Sequence, residues 1–484
     1  MDTFARDGLP PREQWPDLLL LDYPERLNAA EELLKHEGTA IAGGWSYAEL
    51  AERADAVAGS LNIEPGERVL LHSPNTPEAI ACWLGILLAG GIVVATMPLL
   101  RAREIDKVVA KANVTKALVA RDLAGEVDVM DVRVIEDLPT RGWFDACDTA
   151  ADDVAIIAFT SGTTGDPKGC VHFHRDLLAS CETFARHVLH PQPADVFSGS
   201  PPIAFTFGLG ASLLFPLYFG ASTAPTSPPQ LLDTLRARRV TTLFTAPTAY
   251  RALLKEELPD SLHTCVSAGE PLPAGVSDAW FEKTGIRIVD GIGSTEMLHI
   301  FIGSPASEAR PGSCGRPVPG YEARIVGDAM ETLPPGEVGR LAVRGPTGCR
   351  YLDDARQSKY VREGWNLTGD AFSMDADGYF WFQARTDDMI ISSGYNISGF
   401  EVETALLEHP LVKEVAVVGV PDEARGHVVK AFVVTTETVE ASVLQDYVKA
   451  RIAPYKYPRR VEFLETLPRT PTGKVQRNVL RERG

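Results

Sequence analysis

The sequence predicts an α/β protein. It reads as a large N-terminal domain of parallel-rich α/β sheets with a small β-rich subdomain, followed by a small mobile α+β C-terminal domain. Three observations carry this. Apolar strand-like runs (Val154–Phe159, Thr241–Thr245, Arg287–Val289) alternate with helical patterns such as Leu231–Arg238, the order expected of parallel sheets. Near residues 312–380 the texture shifts to Gly, Pro and short alternating strands, including Glu322–Val326 and Gly339–Arg344. After Arg385 comes a compact mixed segment with strands at Val415–Val420 and Val428–Val434 and a helix near Ser442–Arg451, so the expected domains are 1–385 and 386–484.

The 484-residue length implies roughly two to four structural units. A hydrophobic share of 45% and a charged share of 23% are those of a folded globular protein. The net charge of -18, with no Lys/Arg run, argues against nucleic acid as a partner. A phosphate-bearing ligand would have to be met locally by a few cations, a metal ion and backbone N–H groups. The 7 cysteines are scattered without a CxxC pair, so neither a disulfide framework nor a zinc knuckle is indicated and a reducing, cytoplasmic setting is expected. Met1–Pro16 is charged and proline-rich, unlike a signal peptide.

Ala79–Leu100 carries no charge and is long enough to span a bilayer. Gly90-Gly91 interrupts it and Pro98 follows closely. The better reading is a buried βαβ unit: strand Glu67–His72, helix Pro77–Ala89, strand Gly91–Thr96. No membrane partner is expected.

The strand at 156–159 runs into Thr160-Ser161-Gly162-Thr163-Thr164-Gly165-Asp166-Pro167-Lys168-Gly169. Glycines let backbone approach an anion, hydroxyls and N–H groups can surround phosphate oxygens, and Lys168 adds a point charge. Pro167 stands where a Walker A loop requires Gly, which excludes a P-loop phosphotransferase. The segment resembles the signature loop of the adenylate-forming superfamily: acyl-CoA synthetases, peptide-synthetase adenylation domains and luciferases. In that family the loop wraps the β- and γ-phosphates of ATP.

Further segments match in the family's order, from about Trp45 to Lys474. The resemblance implies that Gly269-Glu270-Pro271 packs near the adenine. It implies that Asp290-Gly291-Ile292-Gly293-Ser294-Thr295-Glu296 holds AMP, with Thr295 on the α-phosphate and Glu296 and Thr164 on Mg²⁺. A carboxylate is a natural hard-oxygen ligand for that ion. Asp370 and Arg385 would meet the ribose, Asp387 would be the hinge, and Gly394 and Tyr395 would line the thiol tunnel. Lys474, after Thr470-Pro471-Thr472-Gly473, would bridge the substrate carboxylate and the α-phosphate, so the implied catalytic set is Lys168, Thr295, Glu296 and Lys474. Ile292 and Ala384 depart from the commoner Tyr and Gly. A nucleotide sensor without chemistry would be expected to have lost Glu296 or Lys474, and both are present.

Phe205, Phe207 and Gly208 fall where the family builds its acid pocket; flat apolar walls suit an aromatic ring, with core packing as the alternative. Ala246, Gly291 and Gly293 are small enough for a ring to fit between strands. His299 could bond a ring substituent or the carboxylate, or be a satisfied core histidine. His172 and His174, at i, i+2 with no third ligand, do not read as a metal pair. Residues 290–301 and 315–321 are similar to the benzoate-CoA ligase group, and 96–104 and 170–176 to its 2-aminobenzoate-CoA ligase branch. The activity implied is ATP-dependent conversion of an aromatic acid to its acyl-adenylate and then to the thioester of coenzyme A. Transfer to a carrier-protein pantetheine, or to an amine or hydroxyl of another small molecule, is the alternative. A homodimer is left open.

Overall fold

The computed structural model describes residues 1–160, 166–385, 388–392, 395–422, 425–470 and 474–483. Ser161 to Gly165, Thr386, Asp387, Ser393, Gly394 and 471–473 therefore lie outside the described residues.

The first sheet contains β1 (Arg68–His72), β2 (Ile92–Thr96), β3 (Lys116–Val119), β4 (Asp131–Val134), β5 (Val154–Thr160) and β6 (Lys168–Phe173), in the order β4-β3-β1-β2-β5-β6. It is parallel except for the antiparallel pair β5–β6, in which Thr160 faces Lys168. The helix Pro77–Leu88 links β1 to β2, so Ala79–Leu100 is the buried βαβ unit expected. Thr76 caps this helix by accepting from Ala79 N–H, and Pro77 opens it. It is apolar all round because it is buried all round. Among the described residues no helix is long and apolar enough to cross a membrane.

The second sheet contains β7 (Val196–Gly199), β8 (Ser222–Thr223), β9 (Thr242–Thr245), β10 (Thr264–Ser267), β11 (Val289–Gly293), β12 (Ile300–Gly303) and β13 (Arg316–Pro317), in the order β13-β12-β11-β10-β9-β7-β8. Strands β8 to β11 run parallel, and β12 and β13 add antiparallel. The strand expected at Arg287–Val289 instead begins at Val289 and continues through Gly293. Its glycines disguised it, since glycine is depleted in strand interiors unless another backbone approaches closely.

A five-stranded sheet follows: β14 (Glu322–Val326), β15 (Val338–Arg344), β16 (Val361–Arg362), β17 (Trp365–Met374) and β18 (Phe380–Arg385). The last sheet contains β19 (Ile390–Ser392), β20 (Tyr395–Ile397), β21 (Val412–Asp422), β22 (Gly426–Thr435) and β23 (Arg460–Phe463). Alternation along β21 feeds two cores: Val415 and Val417 pack with the helices Gly399–Leu407 and Ala441–Lys449, while Ala416, Val418 and Val420 pack with Leu467 and Leu480.

The chain divides into two compact units, Met1–Ala323 with Ala342–Leu367, and Arg324–Leu341 with Thr368–Gly484. The expected boundary at 385/386 thus falls inside the second unit. There Ser398 Oγ donates to the Gln383 carbonyl of β18, and Phe382 meets Phe400 edge-on at 5.5 Å.

Packing of the first unit is tight where Pro77–Leu88 crosses the helix Tyr47–Leu61. A Cβ on Gly85 would lie 2.7 Å from Ala54 O and 2.8 Å from Val57 Cβ. Gly85→Val is expected to destabilise the protein by about 1–3 kcal/mol through overpacking, read as a lower urea midpoint with an unchanged slope; an unchanged midpoint would show that the helices separate freely.

Candidate active site

Two neighbouring parallel strands of the second sheet, β9 and β10, end level with one another, and Thr245, Ser267 and Asp290 are aligned across β9, β10 and β11. Ala246 follows directly from Thr245, Gly269-Glu270-Pro271 follows Ser267 with one residue between, and β11 runs on through Gly291 and Gly293 to Ser294, at the edge where α/β sheets hold ligands. Gly269 has φ +86 and open space at its Cβ position, a backbone conformation that favours glycine. Burial pushes the Asp290 carboxyl well above its usual range.

From Asp290 the chain passes β11 and turns back into β12. A bulge lies between Ile292 and Gly293. A Cβ on Gly291 would sit 2.7 Å from Ile300 Cγ2, and one on Gly293 would sit 2.6 Å from His299 O. The space beside these glycines therefore belongs to β12 and not to a ring, so the expected gap between strands is absent there and any ligand contact would be through backbone. Ser294 Oγ accepts from Met297 N–H and caps the 3₁₀ turn Thr295–Met297. Leu298, at φ +69 and ψ −43, then reverses the chain; this strained conformation persists only where surroundings over-determine it.

Glu296 is buried. Its Oε1 accepts from Tyr351 OH at 2.5 Å, and Tyr351 OH accepts from Lys168 Nζ at 3.4 Å. Burial and then the Glu296 charge push the Tyr351 phenol far above its usual range, so it remains a donor. On the other side of the turn, His172 Nε2–H donates to Thr295 O at 2.7 Å. Its Nδ1 faces Asp176 at 3.8 Å, and Asp176 pairs with Arg350 at 2.8 Å, both fully buried. Arg350 lies over the rings of Trp15 and Phe173 at 5.0 and 4.3 Å. Burial alone would raise the Asp176 carboxyl, but Arg350, His172 and the Phe173 N–H hold it well below the usual carboxylate range. His174 turns elsewhere, accepting from Ala29 N–H at 3.1 Å, and burial lowers it to about 4. The two histidines thus serve different partners.

His299 sits among aromatic rings: Phe215 at 4.6 Å, Phe184 at 5.3 Å, Phe207 at 5.9 Å and Phe244 at 6.5 Å. Neither ring nitrogen has a hydrogen-bond partner among the described residues, and burial pushes the imidazole down to about 3, leaving it neutral. Phe205 is the half-buried N-cap of the short helix Thr206–Leu209. Gly208 packs against Pro201 and Pro202, whose carbonyl oxygens would lie 2.5 and 2.1 Å from a Cβ.

In the second unit, Asp370 and Arg385 face each other across β17 and β18 and pair at 2.7 Å. Gly369, at φ +77, lies under Arg385. Lys474 is exposed; its N–H donates to Thr470 Oγ1 at 3.1 Å and its carbonyl accepts from Thr470 N–H at 2.8 Å. Tyr395 lies on β20, paired with Ser392. The first unit therefore gathers Thr160, Lys168, Thr295 and Glu296 around two strands and a turn. Tyr351, Asp176, Arg350, Phe184, Phe215 and Phe244 are not legible in the sequence as site residues, since their partners lie far away in it, and the pattern around His172 gives no sign of its bond to Thr295.

Two family matches cover most of the chain: AMP-binding enzyme over residues 34–350 and AMP-binding enzyme C-terminal domain over residues 401–474. The chain belongs to the adenylate-forming AMP-binding enzyme family and is an AMP-forming acid–CoA ligase of the group that includes benzoate–CoA ligases. It is 34% identical to the benzoate–CoA ligase of Thauera aromatica over 95% of this chain and 96% of that one. It is 35% identical to the uncharacterized acyl–CoA ligase YtcI of Bacillus subtilis (strain 168), over 96% of each. The crystal structure of the anthranilate CoA ligase AuaEII in complex with anthranoyl-AMP superposes with a TM-score of 0.89 at 32% identity, covering 96% of this chain and 98% of that one.

Removing one partner of a buried ion pair is expected to cost about 3–5 kcal/mol. Asp176→Asn should therefore lower stability by that order at pH 7, measured by urea unfolding. Because the folded-state carboxyl is depressed, the wild-type advantage is full above the unfolded pKa and is lost as pH falls below about 4. A difference that does not shrink in acid would assign the effect to packing.

Proposed function

We propose that this protein activates an aromatic carboxylic acid, of the benzoate or 2-aminobenzoate type, and transfers the acyl group to the thiol of coenzyme A. The observation that supports the aromatic acid is the neutral His299 within its ring cluster, three residues beyond Glu296. Aromatic faces bind a ring, and an imidazole with no partner of its own offers one donor and one acceptor to a carboxylate or ortho substituent. The likeness to benzoate and anthranilate CoA ligases supports the same reading.

The residues available suit a magnesium-bound nucleotide. Among the described residues no cluster of three or more His, Cys, Asp or Glu could hold a metal alone. Mg²⁺ commonly takes one or two carboxylates and completes its shell with phosphates and water. Glu296 and Thr164 would be its protein ligands, and bound there it would neutralise phosphate charge.

A carboxylate oxygen of the acid attacks the α-phosphorus, the P–O bond to pyrophosphate breaks, and the acyl-adenylate forms. Negative charge is the obstacle, so positioning and fixed cations carry the reaction. Lys168 serves the outgoing phosphates and Thr295 the α-phosphate. Gly269, Glu270, Pro271 and Asp290 hold the adenine side, and Asp370 and Arg385 the ribose. Lys474 bridges the carboxylate and the α-phosphate. The second domain then turns about Asp387, withdrawing Lys474 and presenting Gly394 and Tyr395 to the thiol. Attack of the thiol on the acyl carbon expels AMP.

Lys474→Ala is expected to lower adenylation about 100- to 1000-fold and to spare thioester formation from supplied acyl-adenylate. Equal losses in both half-reactions would count against the two-state scheme. ATP–pyrophosphate exchange across substituted benzoates and aliphatic acids, repeated with coenzyme A, tests the substrate; strongest exchange with aliphatic acids would refute the aromatic assignment. A Cβ on Gly210 would lie 2.5 Å from His299 Cδ2 and Nε2. Gly210→Ala should therefore raise KM for the aromatic acid about tenfold or more with KM for ATP unchanged, in the same exchange assay.

A further inference from the structure

We infer that Tyr351 and His172 are positioning residues that clamp the Thr295–Glu296 turn, fixing the Glu296 carboxylate so that its second oxygen is kept for a divalent cation. The inference rests on the reading that Glu296 meets the metal of a bound nucleotide.

The two restraints act on adjacent residues of the turn from one strand. Tyr351 forms an isolated bridge with Cys170 of β6, and His172 lies two residues along the same strand. Residues two apart on a strand share a face, so both donors come from one rigid surface. Tyr351 is itself held: its N–H donates to Gln357 Oε1 at 2.9 Å and its ring meets that of Tyr360 edge-on at 5.7 Å. Because its oxygen accepts from Lys168, its own proton is directed at Glu296 Oε1. An ionised carboxylate is acceptor-only with two oxygens, so this bond occupies one and orients the other.

His172 restrains the preceding residue at its carbonyl, through 2.7 Å, and its Nδ1 lies 3.8 Å from the Asp176 of the buried Asp176–Arg350 pair. The turn between the two restraints leads straight into the positive-φ Leu298. A strained reversal of this kind would relax, and carry Glu296 with it, unless Thr295 and Glu296 were pinned. Partners behind a metal ligand commonly control affinity by about 10- to 100-fold.

The test is calorimetric titration of the whole protein, without acid, with ATP in excess Mg²⁺ and with ATP in EDTA. Tyr351→Phe keeps the ring and removes the donor. It is expected to weaken Mg·ATP about tenfold and to leave metal-free ATP unchanged. Unchanged Mg·ATP affinity, or equal weakening with and without metal, overturns the clamp. For His172, exchange kcat should fall about tenfold in His172→Ala. It should recover in His172→Gln, whose amide nitrogen reaches as far as Nε2, and should not recover in the shorter His172→Asn. Equal behaviour of the three variants also overturns it. Glu296→Gln separates the two levels of the argument. If it weakens Mg·ATP while Tyr351→Phe does not, the clamp alone is wrong. If it also leaves Mg·ATP unchanged, the reading of Glu296 fails and the clamp falls with it.

Discussion

A charge pair removed from water, Asp176 with Arg350, is the interaction on which the first unit's site depends. It joins a residue in the first turn of the helix His174–Ser180 to the residue that precedes Tyr351. Neither charge is exposed, so each is tolerable only because the other is there. Beside the pair, His172 reaches Thr295, and Tyr351 is presented to Glu296.

Close backbone approach is the second constraint. Gly291 and Gly293 are glycine because β12 leaves no room for a Cβ, and Gly210 because His299 leaves none. These contacts bring the ring cluster and the acidic turn into one short loop of chain. Glu296 and His299 lie in that loop with two residues between them.

Electrostatics is handled locally throughout. A chain of net charge -18 offers no general attraction to a polyanion. The cations at the motifs are individually placed: Lys168 on a strand and supported by a phenol, Arg385 on a hairpin and paired with Asp370, and Lys474 bonded through its N–H to Thr470. His299 is the opposite case, an imidazole kept uncharged by its burial.

The sequence by itself determined the α/β architecture, the burial of Ala79–Leu100 and the family, because periodicity, capping residues and ordered glycine-rich motifs are local patterns. Most predicted strands lie within a residue or two of their observed positions, and the one clear displacement, at β11, arises because Gly291 and Gly293 hide a strand that another backbone approaches closely. Only tertiary structure decided which side chains support the motif residues. Tyr351 meets Glu296 across 55 positions, and Arg350 meets Asp176 across 174. Such pairs leave no local signature, because each partner taken alone is an ordinary tyrosine, arginine or aspartate whose role is set by what the folded chain brings against it.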